Sequence, residues 1–209
     1  GREYLDRILV SAERMRTLIT DLLSFSRVTT KVRPLAAVDL HELVTDLLGD
    51  LEGRLQQTDG VVHIGPLPVV QADAMQMRQL FLNLISNALK FHRPGVPPEV
   101  HVAGRLLDST SAAGNDDAGT GPPRWCEIRV RDNGIGFDEV YRDRIFQVFQ
   151  RLHGRQEYDG TGVGLAICRR IVERHHGRIT AHSAPGEGAT FVVTLPINGP
   201  AETDPAHGS

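Results

Sequence analysis

The sequence has few cysteines and no long apolar run, and both shortages limit what it can be. Its two cysteines, Cys126 and Cys168, stand far apart with no spacing that suits a metal. We therefore expect two reduced, buried thiols, as is usual in a reducing compartment. No stretch approaches the roughly 20 apolar residues that span a bilayer, and no signal peptide opens the chain. A cytoplasmic location is the expectation, and a membrane anchor elsewhere in the parent protein stays open.

An excess of one charge is also lacking. The 209 residues carry a formal net charge of −3, which disfavours nucleic acid or an anionic membrane as the main partner. The length fits one medium domain plus an appendage. Because the first residue is Gly1 and a helical pattern is already under way by Tyr4, we expect a piece of a longer protein.

The N-terminal segment has the pattern of a pairing helix. Its apolar residues alternate by three and four positions: Leu5, Ile8, Ala12, Met15, Ile19 and Leu22. This seam predicts a long helix within residues 1–30. Two readings stay open, namely a helix docked on its own domain and a helix that pairs with a partner, most simply its copy in a second chain.

The rest of the pattern predicts one α/β domain over residues 31–197 and a frayed tail over 198–209. Asp39 is a candidate N-cap for a second helix, and a third helix is predicted from Asp73 to Phe91. Further helical segments are expected near Glu139–Phe149 and Val163–His175. Strands are expected near Val61–Ile64, Val69–Gln71, Glu99–Leu107, Trp125–Arg131, Arg178–Ser183 and Thr190–Leu195. Since strands and helices do not alternate regularly, a mixed sheet covered on one face by helices fits best.

Three polar residues line one face of the third predicted helix. Asn83, Asn87 and Lys90 fall at i, i+4 and i+7, while apolar neighbours such as Leu84 can face the core. Amides on an otherwise apolar helix are costly to bury without partners. They indicate a polar ligand, although helix-capping or surface amides give the same pattern.

An acidic residue and two glycines follow the strand that ends near Arg131. The segment Asp132–Phe137 reads Asp-Asn-Gly-Ile-Gly-Phe, and on its own it also fits a type I′ hairpin turn. The glycines would let the backbone approach a flat ligand closely. A carboxylate there would accept from adenine's amino group and repel guanine's carbonyl oxygen.

A glycine-rich loop opens the helix predicted near Val163. The segment Asp159–Ile167 places glycines two apart, so that backbone N–H groups at a helix N-terminus form an anion site. Such a loop alone is weak support, because many are simple turns. The preceding segment Ile145–His153 carries aromatics that we expect to pack as a hinge for the loop.

Taken in this order and spacing, the four segments resemble the nucleotide-binding boxes of sensor histidine kinases of the GHKL superfamily. The resemblance covers essentially residues 39–196, and it implies a two-layer α/β sandwich of the Bergerat type. The segment Leu22–Arg27 is similar to the second helix of the family's dimerisation stem. The segment Phe149–His153 resembles phytochrome-type and PAS-linked kinases.

The resemblance implies a binding site for ATP and Mg²⁺. Asn87 would ligate Mg²⁺ with Asn83 in support, and Lys90 and Arg151 would neutralise phosphate charge. Asp132 would read adenine beside Phe91. Backbone contacts would come from Gly134, Gly136, Gly160, Thr161, Gly162, Gly164 and Leu165, with residues 154–159 as a short lid. The implied partners are a response-regulator receiver domain and a second copy of the chain.

The family's phosphorylated histidine has no counterpart here. It belongs to a first stem helix, and His41-Glu42 lies after the predicted stem helix and lacks the continuation that usually follows. We expect a structural role for His41, and a helix C-terminus at His175-His176. Two rival functions stay open. An ATP-gated clamp would need a catalytic Glu within the asparagine helix, where no acid occurs between Met75 and Phe91. A pseudokinase scaffold would not bind nucleotide.

Overall fold

The computed structural model describes residues 34–107, 125–150, 152 and 161–198, together with scattered positions between Tyr4 and Ser26. The described positions of that first segment are all helical. Its seam is exposed where it is described, with Ile8, Met15 and Ile19 showing 62%, 58% and 60% of their surface. Phe25, near the end of this segment, packs against the core of the domain. No helix in the described part of the chain is both long and apolar enough to cross a bilayer.

Three helices form one layer of the domain: α1 (Leu40–Thr58), α2 (Ala74–Lys90) and α3 (Gly164–Arg174). Each of the first two begins at an aspartate whose side chain accepts from the backbone of the first turn. Asp39 accepts from the N–H groups of His41 and Glu42, at 2.8 and 3.1 Å. Such caps satisfy donors that have no partner within a helix. The predicted N-cap at Asp39 is confirmed.

A five-stranded mixed sheet forms the second layer. Its order is β2 (Val61–Ile64), β4 (Glu99–Leu107), β5 (Trp125–Asp132), β7 (Ala189–Pro196) and β6 (Arg178–Ser183). The pair β2–β4 is parallel and the others are antiparallel. Buried residues alternate along β5 and β7 with more exposed ones, so that one face of the sheet is buried against the helices. The predicted two-layer α/β sandwich is confirmed.

Two short strands pair at the margin of the domain, and one of them was not predicted. β1 (Ala36–Asp39) runs antiparallel to β3 (Val69–Ala72), with Ala36 opposite Ala72. The four residues of β1 carry no alternation that marks a strand, and only Val38 is buried. The pairing is set instead by the caps that follow, because each strand leads directly into a helix through its aspartate.

The helical segment predicted near Glu139–Phe149 is not one continuous helix. That segment forms two single turns of 3₁₀-helix, Glu139–Tyr141 and Arg144–Phe146. Ile145 and Phe146 are buried, whereas Val140 is 72% exposed, so the apolar residues do not form one continuous face. Phe149 then takes a left-handed backbone conformation (φ 63°), which no helix tolerates.

His175 lies at the end of α3, as predicted, but its ring is buried rather than placed there to complement the helix dipole. Nδ1 lies 2.8 Å from the carbonyl oxygen of Ile171, and Nε2 accepts from the N–H of Asp73 at 3.1 Å. Both bonds require a neutral ring with its proton on Nδ1. His175 thus joins the end of α3 to the residue that caps α2.

Burial lowers the pKa of His175 below its ordinary value of 6.5, and the hydrogen bond to Ile171 offsets only part of this effect. A proton therefore binds more readily to the unfolded chain than to the folded one. This residue's contribution to stability is present above pH 6.5 and is lost as the pH falls towards the pKa of the folded state.

We predict that the free energy of unfolding falls between pH 7 and pH 5, and that His175→Gln flattens this part of the curve. Urea unfolding at several pH values measures the effect. His182→Gln is the matched control, because His182 is an exposed histidine on β6. An unchanged pH dependence in His175→Gln would show that His175 does not titrate with folding.

Candidate nucleotide-binding site

Three parts of the fold meet at one end of α2: the helix itself, the loop that follows β5, and the start of α3. The amide Nδ2 of Asn83 donates to the carbonyl oxygen of Gly164 at 3.1 Å. The N–H of Ile135 donates to the carbonyl oxygen of Phe91 at 2.9 Å. Segments that are separate in the sequence therefore share direct hydrogen bonds, and together they border one site.

Asn83 connects α2 to the glycine-rich loop. Its Oδ1 accepts from the side-chain amide of Gln79 at 3.0 Å, one turn earlier, while Nδ2 donates to Gly164. Both ends of the amide are thus engaged by the protein. This arrangement fixes the position of the α3 N-terminus and indicates a positioning role for Asn83.

Asn87 and Lys90 follow on the same face of α2. The side chain of Asn87 is half-buried, and within the described part of the chain no hydrogen bond engages its amide. The ammonium group of Lys90 lies 4.4 Å from the centroid of the Phe91 ring. This cation–π contact holds the charge beside the end of the helix. The face therefore offers an amide oxygen and, one turn further on, a positive charge.

Asp132 is buried at the end of β5, and its two carboxylate oxygens have different surroundings. Oδ1 accepts from the N–H of Gly134 at 2.8 Å and from the N–H of Ala189 at 3.1 Å. Among the described residues none donates to Oδ2. Burial raises the pKa of Asp132 above its ordinary value, against the two backbone hydrogen bonds, which lower it. One oxygen thus holds the loop, and the other can accept from a ligand.

The loop after β5 requires glycine at both of its predicted positions. A Cβ at Gly134 would overlap the carbonyl oxygen of Phe91, so the loop passes directly over the end of α2. Gly136 has a φ of 61° and lies against the carbonyl oxygen of Ala184, where a side chain could not fit. The segment is not a simple hairpin turn, because β5 pairs with β4 and β7 and is not followed directly by another strand.

A turn between β6 and β7 supports this loop, and sequence reasoning gave it no role in the site. The hydroxyl of Ser183 accepts from the N–H of Phe137 at 2.9 Å and donates to the carbonyl oxygen of Gly188 at 2.6 Å. The N–H of Gly186 donates to the carbonyl oxygen of Ile135 at 2.7 Å. The only signal in the sequence was the Gly-Glu-Gly turn itself, which does not show what it contacts.

Among the described residues, no side-chain cap closes the start of α3. Val163 occupies the N-cap position, makes no side-chain cap and is followed by no acidic residue in the first turn. Thr161, Gly162 and Leu165 are half-buried beside it, and Gly162 accepts from the N–H of Phe149 at 3.0 Å. With Gly164 at the first helical position, the N-terminus of an 11-residue helix faces the site that Asn83 borders.

Two predicted site residues, Arg151 and Gly160, lie outside the described residues, as do residues 154–159 of the predicted lid. The other predicted residues all belong to the three segments that meet at the end of α2. Both cysteines are free and buried, as predicted. Burial raises the pKa of Cys126 to about 11 and that of Cys168 to about 12, so neither thiol is a candidate nucleophile.

His41 lies at the first turn of α1. Its ring nitrogen Nδ1 lies 3.3 Å from the carbonyl oxygen of Gly65, and its side chain is exposed. This position early on α1 agrees with the structural role predicted for His41.

Comparison with known proteins agrees with the fold. Residues 72–199 match the family described as histidine kinase-, DNA gyrase B-, and HSP90-like ATPase. Full-length ShkA in complex with AMPPNP has a similar structure, with a TM-score of 0.72, 26% identity, and coverage of 95% of this chain and 39% of that one. The mycobacterial sensor histidine kinase MprB shares the fold, with a TM-score of 0.62, 24% identity, and coverage of 79% and 99%.

Curated relatives include a cyanobacterial phytochrome and a circadian input-output histidine kinase. Cyanobacterial phytochrome A of Nostoc sp. is 41% identical over 199 residues, which are 95% of this chain and 24% of that protein. The circadian input-output histidine kinase CikA of Synechococcus elongatus is 32% identical, over 93% of this chain and 25% of that protein. The chain thus spans about a quarter of the length of these relatives. It belongs to the histidine kinase-, DNA gyrase B- and HSP90-like ATPase family, and within that family it is an ATPase domain of the histidine kinase type.

Proposed function

We propose that this domain binds Mg·ATP and that, in the intact protein, it transfers the γ-phosphoryl group to a histidine on a stem helix. The observation that carries the proposal is the divided environment of Asp132. One of its oxygens is held by two backbone N–H groups, and the other has no donor among the described residues. A buried carboxylate in that state fits a ligand that supplies a donor.

Adenine supplies such a donor through its exocyclic amino group. Guanine carries a carbonyl oxygen at the same position, and that oxygen would lie against the carboxylate. Gly134 keeps the loop close to the end of α2, where Phe91 is half-buried, and Gly136 keeps it against the turn between β6 and β7. These features support adenine binding between the loop and the aromatic ring.

The phosphates would extend towards the start of α3. Its N–H groups and the helix dipole attract negative charge, and Thr161, Gly162, Gly164 and Leu165 form that end of the helix. Lys90 would neutralise phosphate charge, and Arg151 is proposed for the same role from its place in the sequence. Phosphoryl transfer depends mostly on such positioning and electrostatic stabilisation.

The amide of Asn87 fits a magnesium ligand. Mg²⁺ prefers oxygen donors and keeps several waters, so one neutral amide oxygen beside the phosphates is a suitable contribution. Asn87 is half-buried, and its amide makes no hydrogen bond among the described residues. Asn83, by contrast, has both amide atoms engaged, and so it would support the metal–phosphate group by holding the loop. A bound Mg²⁺ would neutralise phosphate charge.

The α2 helix favours phosphoryl transfer over hydrolysis. An ATP-gated clamp of this fold would carry its water-activating carboxylate on this helix, and none occurs between Ala74 and Lys90. Gln79 and Asn83 bond to each other there, and neither amide is a base. The arrangement thus suits a domain that holds ATP for an acceptor carried elsewhere.

For the intact protein we propose the organisation of a two-component sensor kinase. Residues 1–30 would be the second helix of a dimerisation stem, and 31–197 the catalytic domain. The exposed seam at Ile8, Met15 and Ile19 supports pairing with a second copy. A response-regulator receiver domain is the proposed partner that takes the phosphoryl group from that histidine. ThkA, which has a similar fold, has been solved in complex with the response regulator TrrA. We propose that the domain acts in the cytoplasm.

The test of the proposal is the substitution Asp132→Asn. It keeps Oδ1 as an acceptor for Gly134 and Ala189, but it replaces the free oxygen by an NH₂ donor. We predict that affinity for ATP falls about 10- to 150-fold, the equivalent of roughly 1.5–3 kcal/mol for a lost charge-assisted hydrogen bond. The preference for ATP over GTP should shrink, because the new donor faces guanine's carbonyl oxygen. Calorimetric titration measures both.

The control is the stability of the protein without nucleotide. Because the pKa of Asp132 is raised, ionising this side chain opposes folding at neutral pH, and a neutral amide should leave the free energy of unfolding unchanged or higher. Asp132→Ala should lower it by about 1–3 kcal/mol, since two backbone N–H groups lose their acceptor. Unchanged ATP affinity in a folded Asp132→Asn variant would refute the adenine assignment.

Asn87→Ala tests the metal. We predict that it weakens Mg·ATP binding at least tenfold and metal-free ADP binding by much less, because the amide acts through the ion. Ser86→Ala is the matched control: its hydroxyl is also half-buried but donates to the backbone oxygen of Asn83. Equal losses with and without Mg²⁺ would show that Asn87 has a structural role only.

A further inference from the structure

Three side chains of the types that bind metal ions lie together on an exposed face of the sheet. We propose that His63, Glu99 and His101 form a site for a zinc-like divalent transition-metal ion. Their ligand atoms all lie within 4.8 Å of one another. Nε2 of His63 lies 3.2 Å and Nε2 of His101 lies 3.0 Å from the same oxygen, Oε1 of Glu99.

The backbone brings these three residues together. Glu99 and His101 are two residues apart on β4, so their side chains project from the same face of the sheet. β2 runs parallel to β4, and His63 is the Cα partner of His101. The two imidazole rings stack, with centroids 4.6 Å apart and planes 19° from parallel. The site is therefore set by strand register and not by a mobile loop.

The position of Glu99 is further fixed at the start of β4. Its N–H donates to the side-chain oxygen of Asn133 at 2.9 Å, and the amide of Asn133 donates to the carbonyl oxygen of Pro97 at 3.1 Å. The neighbouring strand is held by the N–H of Val61, which donates to the carbonyl oxygen of Pro98 at 2.9 Å. Little backbone freedom would thus be lost when an ion binds.

The spacing of the ligand atoms suits tetrahedral coordination. Zinc bonds to imidazole nitrogen and carboxylate oxygen at about 2.0–2.1 Å, so that ligands at tetrahedral angles lie about 3.3 Å apart. The two nitrogen–oxygen distances of 3.2 and 3.0 Å are close to this value. The two nitrogens lie within 4.8 Å of each other, and rotation of the rings, with each imidazole proton moved to Nδ1, would bring all three atoms onto one ion. Water would complete the coordination.

The donor set selects the kind of ion. Two imidazole nitrogens and one carboxylate suit zinc and its neighbours, whereas Mg²⁺ and Ca²⁺ prefer oxygen donors. Arg131 is the Cα partner of His101 on β5, so the site is not surrounded by negative charge alone. Binding would therefore depend on coordination by the three ligand atoms and not on electrostatic attraction. All three side chains are about half exposed, and an ion can reach them from solvent.

A bound ion would hold β2 against β4. β2 has only four residues and lies at the edge of the sheet, where few contacts secure it. A metal that binds the folded chain and not the unfolded one stabilises the fold in proportion to its occupancy. The site is separate from the residues proposed to hold Mg·ATP, and it does not depend on that proposal.

The experiment is calorimetric titration of the nucleotide-free, tag-free chain with Zn²⁺ at pH 7.5, followed by Co²⁺ absorption spectra. We expect one equivalent to bind, unaffected by millimolar Mg²⁺. His63→Gln and His101→Gln should each weaken it at least tenfold, and Glu99→Gln should weaken it as well. His182→Gln is the matched control, because His182 is an exposed strand histidine at the other edge of the sheet. Circular dichroism checks that each variant is folded.

A further readout makes the outcome decisive. Zn²⁺ should raise the midpoint of thermal unfolding in the parent chain and in His182→Gln, but not in His63→Gln. Saturable binding that survives in a His63→Gln, His101→Gln double variant would overturn the proposal. So would the absence of stoichiometric binding, which would leave the three residues as a hydrogen-bonded cluster only.

Discussion

The carboxylate of Asp132 is the contact on which the site depends. Its Oδ1 accepts from Gly134 in its own loop and from Ala189 at the start of β7. These two bonds join a loop to a strand that begins more than 50 residues later, and they fix the direction of the second oxygen. Because no described residue donates to that oxygen, the proposed adenine contact and the support of the loop would come from the same side chain. The effect of a substitution at Asp132 on the loop contacts must therefore be measured separately from its effect on ligand binding.

The α2 helix has a similar double use. Its apolar face fills the centre of the core, where Leu80, Leu84 and Ile85 are almost fully buried. Its polar face carries Asn83 and Asn87, and Asn83 bonds to the backbone of the glycine-rich loop. The packing that orders the core thus also sets the distance between the amide of Asn87 and the start of α3. Changes in the core are expected to reach the site through this one rigid element.

The sequence predicted elements with a strong local signal and missed those that depend on distant contacts. Alternation and aspartate caps were sufficient for α1, α2 and the long strands. β1 was missed because it forms through pairing with β3, and its own four residues show no strand pattern. The segment Glu139–Phe149 was assigned as helix because its composition allows one, whereas burial of Ile145 and Phe146 selects short turns.

The same limit applies to the candidate site. Spacing on a helix and glycines after a strand identified Asn87 and Asp132 as residues of interest, and a family resemblance supplied their roles. Which oxygen of Asp132 is engaged, and that Ser183 supports the loop through Phe137 and Gly188, depends on contacts between strands that no local pattern encodes. The roles themselves remain predictions that binding measurements must test.

Burial of Asp132 opposes the charge that the proposed role would use. Burial raises the pKa of this side chain, so the folded protein disfavours the carboxylate form that a donor ligand would require. A neutral residue of the same shape would be easier to fold but would present the wrong hydrogen-bonding group. His175 differs from Asp132, because it is buried in its neutral form with both ring nitrogens hydrogen-bonded. It therefore stabilises the fold at neutral pH and has no nitrogen left for a ligand. The two groups differ in one respect: each is buried, but only Asp132 retains an acceptor that no described residue uses.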